Sequence, residues 1–150
     1  MAVQRVGLLL FFVVGALLAG CGGNSGGIEA SGVWGRESPS MAQNGAFYLE
    51  LRNNGDADDA LVAVQTTACS QVELHESSMD DHDVMSMDPV EGGRIPLPAG
   101  ETVSLEPGGL HVMCLGVVEP FVSGERIPLV LHFEQHEPLE VEAEIRRDAP

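Results

Sequence analysis

The sequence predicts an all-β sandwich, and two observations support that fold class. After residue 21, apolar and polar residues alternate in about seven or eight short segments, which turns containing Gly, Pro and Asp separate. No segment of that region repeats its apolar residues at the spacing that an amphipathic helix requires. Short strands joined by tight turns each have an apolar face to bury, and two packed sheets bury those faces together.

Each predicted strand rests on alternation and on the turns beside it. Residues 46–52 combine alternating apolar positions with aromatic side chains, which favours a half-buried strand, and the turn at residues 53–56 ends it. Further strands are predicted at residues 60–67, 70–75, 102–105, 110–118, 127–133 and 139–145. We expect folded structure to begin near Ile28 to Val33, and we place the domain at residues 31–150.

Residues 1–20 are predicted to be an export signal peptide. Arg5 is the one early positive charge, and the apolar run at residues 6–18 is too short for a stable membrane span. The ending Leu-Ala-Gly-Cys resembles the bacterial lipobox, so we predict that Cys21 is lipidated. An uncleaved anchor and an ordinary signal with a chance cysteine are the alternatives. Residues 21–30, rich in Gly and Ser, would then form a flexible tether at a membrane surface.

Length and charge limit the classes of function. The chain has 150 residues, which after removal of a leader leaves room for one domain with a single core. Its formal net charge of −16 argues against nucleic acid as a partner, because few basic side chains are available to neutralise phosphates. The sequence has no Ser-His-Asp, Walker or His-Glu-x-x-His pattern, so we expect that the protein is not an enzyme.

Residues 75–113 concentrate the side chains that bind soft metal ions. Four of the six Met and three of the five His lie in this stretch. Thioether sulfur is a soft donor and imidazole a borderline one, so the mixture suits Cu(I) better than zinc, calcium or magnesium. His111 and Met113 are two residues apart, which on a strand places both side chains on the same face.

This stretch resembles the PCuAC family of bacterial extracytoplasmic copper chaperones. The similar segments are VELHE (72–76), VMSMDPVEGG (84–93), IPLPAGETVSLEPGG (95–109) and HVMCLG (111–116), with further similarity at 33–36 and 46–53. The resemblance implies a cupredoxin-like Greek-key sandwich with one copper site. The residues that match the family's ligands are His75, Met87, His111 and Met113.

Met85 is a rival for the role of Met87, because residues 80–83 look like an insertion in the family's spacing. We expect residues 79–87 to form a polar loop in which one of the two Met binds copper and the other packs. We favour Met87, since Pro89 stiffens the chain directly after it. His82, with the neighbouring Asp carboxylates, is a candidate for a second ion, Cu(II).

Cys69 and Cys114 remain once Cys21 carries a lipid. Two cysteines left over in an exported protein usually pair, so we predict a disulfide between them. Free buried thiols and direct copper–thiolate ligation are the alternatives. His132 and His136 are expected to lie on the surface, with an accessory metal site as the other interpretation.

The sequence therefore predicts a lipid-anchored chaperone that holds Cu(I) outside the cytoplasm and transfers it by ligand exchange. Both imidazoles must be neutral to bind the ion, so affinity should fall in acid. The resemblance implies that the copper acceptor is a cytochrome c oxidase subunit or one of its assembly factors. Two other classes stay open: a copper protein that transfers electrons, and a structural or adhesion sandwich without metal.

Overall fold

A computed structural model describes residues 26–38, 42–79 and 84–149 of the chain. Ten strands make up this part: β1 Ile28–Arg36, β2 Asn44–Asn53, β3 Asp59–Gln65, β4 Cys69–Met79, β5 Met85–Pro89, β6 Ile95–Leu97, β7 Thr102–Leu105, β8 Leu110–Val117, β9 Arg126–Phe133 and β10 Leu139–Arg146. The predicted signal peptide, Cys21 and His82 lie outside the described residues. Among those residues, no helix could cross a membrane.

The strands form one continuous hydrogen-bonded path in the order β5-β4-β8-β2-β1-β10-β9-β3-β6. β7 pairs with residues 49–52 of β2, beyond the part of β2 that pairs with β8. β1 joins the two halves: it pairs with β2 on both sides of a register shift between Ser31 and Trp34, and its last residues, 34–36, also run parallel to β10. Apolar side chains from both halves of the path share one buried cluster. The path therefore folds over into two packed layers, which confirms the predicted all-β sandwich.

All seven strands that alternation predicted are present, with ends that differ mostly by one or two residues. β4 is the exception, because it continues four residues past His75 to Met79. β1 starts at Ile28, within the range where folded structure was expected to begin, so residues 28–30 of the predicted tether belong to the sheet.

The predicted polar loop at residues 79–87 is wrong in part. Met79 ends β4, and Met85–Pro89 is strand β5, which pairs with β4 as a hairpin. Every residue of β5 is exposed, so this strand has no apolar, core-facing positions for a sequence pattern to show. The short β6, Ile95–Leu97, was also missed, because it contains a proline and lies at the other end of the path.

The disulfide between Cys69 and Cys114 is confirmed, with a Cα–Cα distance of 5.5 Å. It joins β4 to β8, and both cysteines are buried in the core cluster. The alternatives of free thiols and of thiolate ligation at these two positions are therefore excluded in this oxidised form. On β8, Cys114 and Val112 face the core, while His111 and Met113 alternate with them and project to the other face.

His136 is partly exposed, as expected of a surface residue, and it also has a structural role. Its Nδ1 pairs with the carboxylate of Asp59, a buried residue that also accepts hydrogen bonds from the backbone N–H groups of Ala60, Gln135 and His136. This carboxylate fastens the β9–β10 turn to β3. His132 is half-buried on β9, opposite Ala63, and its Nε2 has no partner among the described residues.

Asp59→Asn is expected to destabilise the fold by roughly 2–3 kcal/mol at neutral pH, because the amide NH2 would face N–H donors in a buried site. Burial alone raises the pKa of Asp59, but the hydrogen bonds from His136 and three backbone N–H groups outweigh it and hold the pKa below its usual value. The carboxylate therefore stabilises the fold above the usual carboxyl pKa of about 3.9, and this contribution is lost as the pH falls through the lower folded-state pKa. Urea unfolding of both proteins measures the difference. A difference that stays constant down to pH 2 would contradict this assignment.

Candidate metal centre

The pairing of β4 with β8 brings the two predicted histidine ligands together. His75 lies directly opposite His111 in the register, and their ring centroids are 5.9 Å apart. Both residues are buried, with only 8% and 3% of their surface exposed. Each imidazole is attached to the middle of a hydrogen-bonded strand pair. Its position is therefore already fixed before an ion binds.

Hydrogen bonds occupy one nitrogen of each ring and leave the other nitrogen open. His75 Nε2 lies 2.7 Å from a carboxylate oxygen of Glu73, so Nε2–H donates to it. His111 Nδ1 lies 3.0 Å from the carbonyl oxygen of Gly109, so Nδ1–H donates there. His75 Nδ1 is buried and has no hydrogen-bond partner among the described residues.

This arrangement is the one that metal-binding histidines adopt in proteins. The ring N–H that does not face the metal donates to a carboxylate or a backbone carbonyl, which fixes the tautomer and the ring orientation. The lone pairs of His75 Nδ1 and His111 Nε2 are therefore free to act as nitrogen donors. In both cases the orienting oxygen belongs to the residue two positions earlier in the chain.

Three methionines lie on the same face of the sheet as the histidine pair. Met113 is opposite Glu73 on β4, and Met87 on β5 is opposite Ser77. His111, Met113, Met85 and Met87 line one open pocket of about 440 Å³. Met85 and Met87 are 53% and 54% exposed, so neither packs into the core, and the expectation that one of them would do so is wrong.

The register separates Met87 from Met85. Met87 is two residue pairs along the hairpin from the level of His75, whereas Met85 is four pairs away, opposite Met79. Because a strand rises about 3.4 Å per residue, the Cα of Met87 is about 7 Å nearer to the level of the histidines. Both side chains reach the pocket. The nearer backbone position makes Met87 the better candidate for a ligand beside the histidines.

Aromatic side chains form the opposite side of the site. The Tyr48 ring is 6.4 Å from that of His111 and 4.6 Å from that of Trp34. Burial raises the pKa of Tyr48, and the nearby Arg36 guanidinium only partly offsets this, so the phenol stays neutral and protonated. Tyr48, Trp34 and the orienting Glu73 were not identified as parts of the site from the sequence.

The donor set fits a soft monovalent cation. In the part of the chain that the structure describes, no group of three or more His, Cys, Asp and Glu side chains could hold a metal ion. Both cysteines of the domain are in the disulfide, so no thiolate is available there. The site therefore offers two neutral imidazole nitrogens and thioether sulfurs, a combination that suits Cu(I) and disfavours calcium or magnesium.

One curated protein is similar to most of this chain. "Putative lipoprotein Lxx21020" of Leifsonia xyli subsp. xyli (strain CTCB07) is 30% identical over 112 residues, which are 75% of this chain and 65% of that protein. The chain thus spans somewhat less than two thirds of the length of this relative.

Solved PCuAC domains have the same fold. The apo PCuAC domain from PmoF1 is 26% identical with a TM-score of 0.67, over 85% of this chain and 98% of that one. The copper-bound PCuAC domain from PmoF2 is 21% identical with a TM-score of 0.68, over 83% and 96%. CuI-DR1885 from Deinococcus radiodurans is 25% identical with a TM-score of 0.60, over 89% and 86%. These likenesses confirm the predicted cupredoxin-like sandwich.

The family model described as "Putative lipoprotein LpqE-like" matches residues 28–145, which is nearly the whole of the described domain. The match begins at the first residue of β1 and ends one residue before the end of β10. It therefore covers every strand that builds the histidine–methionine site. The chain belongs to the LpqE-like family and has the fold of PCuAC copper-binding domains.

Proposed function

We propose that this protein is an extracytoplasmic metallochaperone that binds one Cu(I) ion and transfers it by ligand exchange. The ligands are His75, His111, Met113 and Met87. The observation that supports this most directly is the buried Nδ1 of His75, which has no hydrogen-bond partner in the described part of the chain and lies across the strand pair from a second oriented imidazole. A buried nitrogen without a hydrogen bond costs free energy, and binding a cation there would recover it.

The unequal exposure of the ligands suits transfer. The two histidines are buried and held by hydrogen bonds, whereas Met87 is more than half exposed at the edge of the sheet. An acceptor's own sulfur or nitrogen ligand can therefore approach the ion from the side of β5 before the histidines release it. Thioethers carry no proton to lose, so only the histidines make binding depend on pH.

The wider setting is also part of the proposal. Removal of residues 1–20 and lipidation of Cys21 would anchor the domain outside the cytoplasm, either on the outer face of the cytoplasmic membrane or in the periplasm. The lipoprotein descriptions of the family and of its relative support this location. A cytochrome c oxidase subunit or its assembly factor is the proposed acceptor. A second ion, Cu(II), near His82 remains a sequence-based hypothesis.

The competing classes make different predictions. A copper electron carrier of the blue-copper type needs a cysteine thiolate on the metal, and the disulfide occupies both cysteines of the domain. A purely structural sandwich would not need two imidazoles whose open nitrogens share one side of a strand pair. Neither alternative has an observation in its favour.

X-ray absorption of the copper-loaded domain tests the proposal. We expect one Cu(I) per chain and a first shell of both nitrogen and sulfur scatterers, because imidazole and thioether ligands share the site. Metal analysis after gel filtration gives the stoichiometry. A shell of nitrogen and oxygen only, or no retained copper, would contradict the proposed function.

Met87→Leu should weaken Cu(I) binding more than Met85→Leu does. Leucine keeps most of the volume and apolar character of methionine, so loss of the sulfur dominates the effect. The two methionines are equally exposed, which makes each variant the matched control for the other. Competition with a chromophoric Cu(I) chelator measures both affinities. Equal losses would mean that the two sulfurs substitute for each other, and a larger loss at Met85 would reverse the assignment.

A further inference from the structure

The tip of the β4–β5 hairpin carries two thioethers that the histidine–methionine site does not use. Met79 and Met85 are direct cross-strand partners, so their side chains project from the same face of the hairpin. They are 59% and 53% exposed. Cβ atoms of such partners lie about 4.5–5.5 Å apart, a separation from which two flexible methionine side chains can bring both sulfurs to one ion.

The same face continues from this pair toward the histidines. The next pair along the hairpin contributes Met87 beside Ser77, and the pair after that contributes His75. Successive pairs on one face are about 7 Å apart. The hairpin therefore presents sulfur at two consecutive levels and then imidazole at the third, in a line that leads from solvent to the buried site.

The two faces of the hairpin differ in chemistry. On the other face, Glu76 pairs with Asp88, and Ser78 pairs with Ser86 through hydroxyls 3.0 Å apart. The described part of the hairpin thus keeps its carboxylates on one face and its thioethers on the other. Thioether sulfur is a poor ligand for a hard cation, whereas Cu(I) accepts two or three neutral sulfur donors.

We propose that Met79 and Met85 form a second, weaker Cu(I) site at the hairpin tip, from which the ion passes by way of Met87 to the histidine pair. The proposal rests on the proposed function, because it requires the histidine–methionine site as the destination. The tip site is weaker since its two exposed side chains must be ordered on binding. Because the histidine site binds more tightly, an arriving ion moves from the tip toward the histidines. An acceptor protein could draw the ion back out in the opposite direction.

A methyl NMR titration tests this on the full-length chain in detergent micelles, with methionine labelled at the ε-methyl carbon. Ag(I) is the first probe, since it is a soft d10 ion without redox chemistry, and Cu(I) under anaerobic conditions follows. The first equivalent should shift the methyl signals of Met87 and Met113. Further ion should then shift Met79 and Met85 together, with a dissociation constant about tenfold or more weaker.

Met79→Leu should abolish the second-phase shift of Met85 and leave the first phase intact. Ser86→Ala, whose side chain lies on the other face, is the control and should leave both phases unchanged. The proposal is overturned if Met79 and Met85 stay unshifted at excess ion, or if the Met85 shift survives Met79→Leu. It is also overturned if the tip fills before the histidine site. Failure of the function itself looks different, because Met87 and Met113 would then not respond to the first equivalent.

Discussion

Replacing His111 with alanine is expected to lower Cu(I) affinity by more than about 100-fold, because loss of an outer hydrogen-bond partner of a metal-bound histidine already costs about 10–100-fold. The loss includes one of the two nitrogen donors and the preorganisation that the Gly109 carbonyl gives it. His75→Ala should have a similar effect, and the double variant should retain no ion through gel filtration. Competition with a Cu(I) chelator measures the single variants.

His132→Ala is the matched control for these variants. His132 is a half-buried histidine with an unpartnered nitrogen among the described residues, but it lies on β9, far from β4 and β8 along the strand path. Its replacement should leave Cu(I) affinity unchanged once circular dichroism confirms folding. If His132→Ala weakened binding as much as His111→Ala, the ion would not be bound where the β4–β8 pair places it.

Replacing both Cys69 and Cys114 with alanine is expected to destabilise the domain by about 4 kcal/mol. The bond closes a loop with a sequence separation of 45 residues, and the chain-entropy estimate for a loop of that length is about 4 kcal/mol. For a domain of this size the melting temperature should fall by about 10–20 °C. Alanine suits these buried positions because it introduces no polar group into the core.

The wild-type protein supplies the control for that prediction. Thermal unfolding followed by circular dichroism, with and without a reductant, should show the reduced wild type melting near the double variant. The double variant itself should not respond to reductant. A reduced wild type as stable as the oxidised one would show that the disulfide contributes nothing to the stability of the sandwich.

The disulfide and the metal site use opposite faces of one strand. On β8, the side chains of Val112 and Cys114 face the core, and those of His111 and Met113 face the pocket. The core side of the strand is therefore covalently fixed directly beneath the residues that bind the ion. This covalent support holds His111 and Met113 at a fixed separation. It does so without any need for buried charges around the site.

Much of the domain could be predicted from the sequence because strand alternation is a local property. The seven strands that bury one face were found from their pattern, and His111 and Met113 could be placed on one face by their spacing alone. The identity of the donors also follows from side-chain chemistry, since thioethers and imidazoles prefer soft cations. The pairing of Cys69 with Cys114 was favoured because exported cysteines are oxidised.

Only the tertiary structure decided how the ligands meet. Which residue of β4 lies opposite His111 depends on strand register, and a shift of one residue would have turned His75 to the core face. The open nitrogen of each ring depends on the oxygen that binds the other one. β5 is a strand because β4 pairs with it and not because of its own alternation. Exposed Met79 of β4 is a neighbour of exposed Met85 and Met87 of β5 only through this backbone pairing.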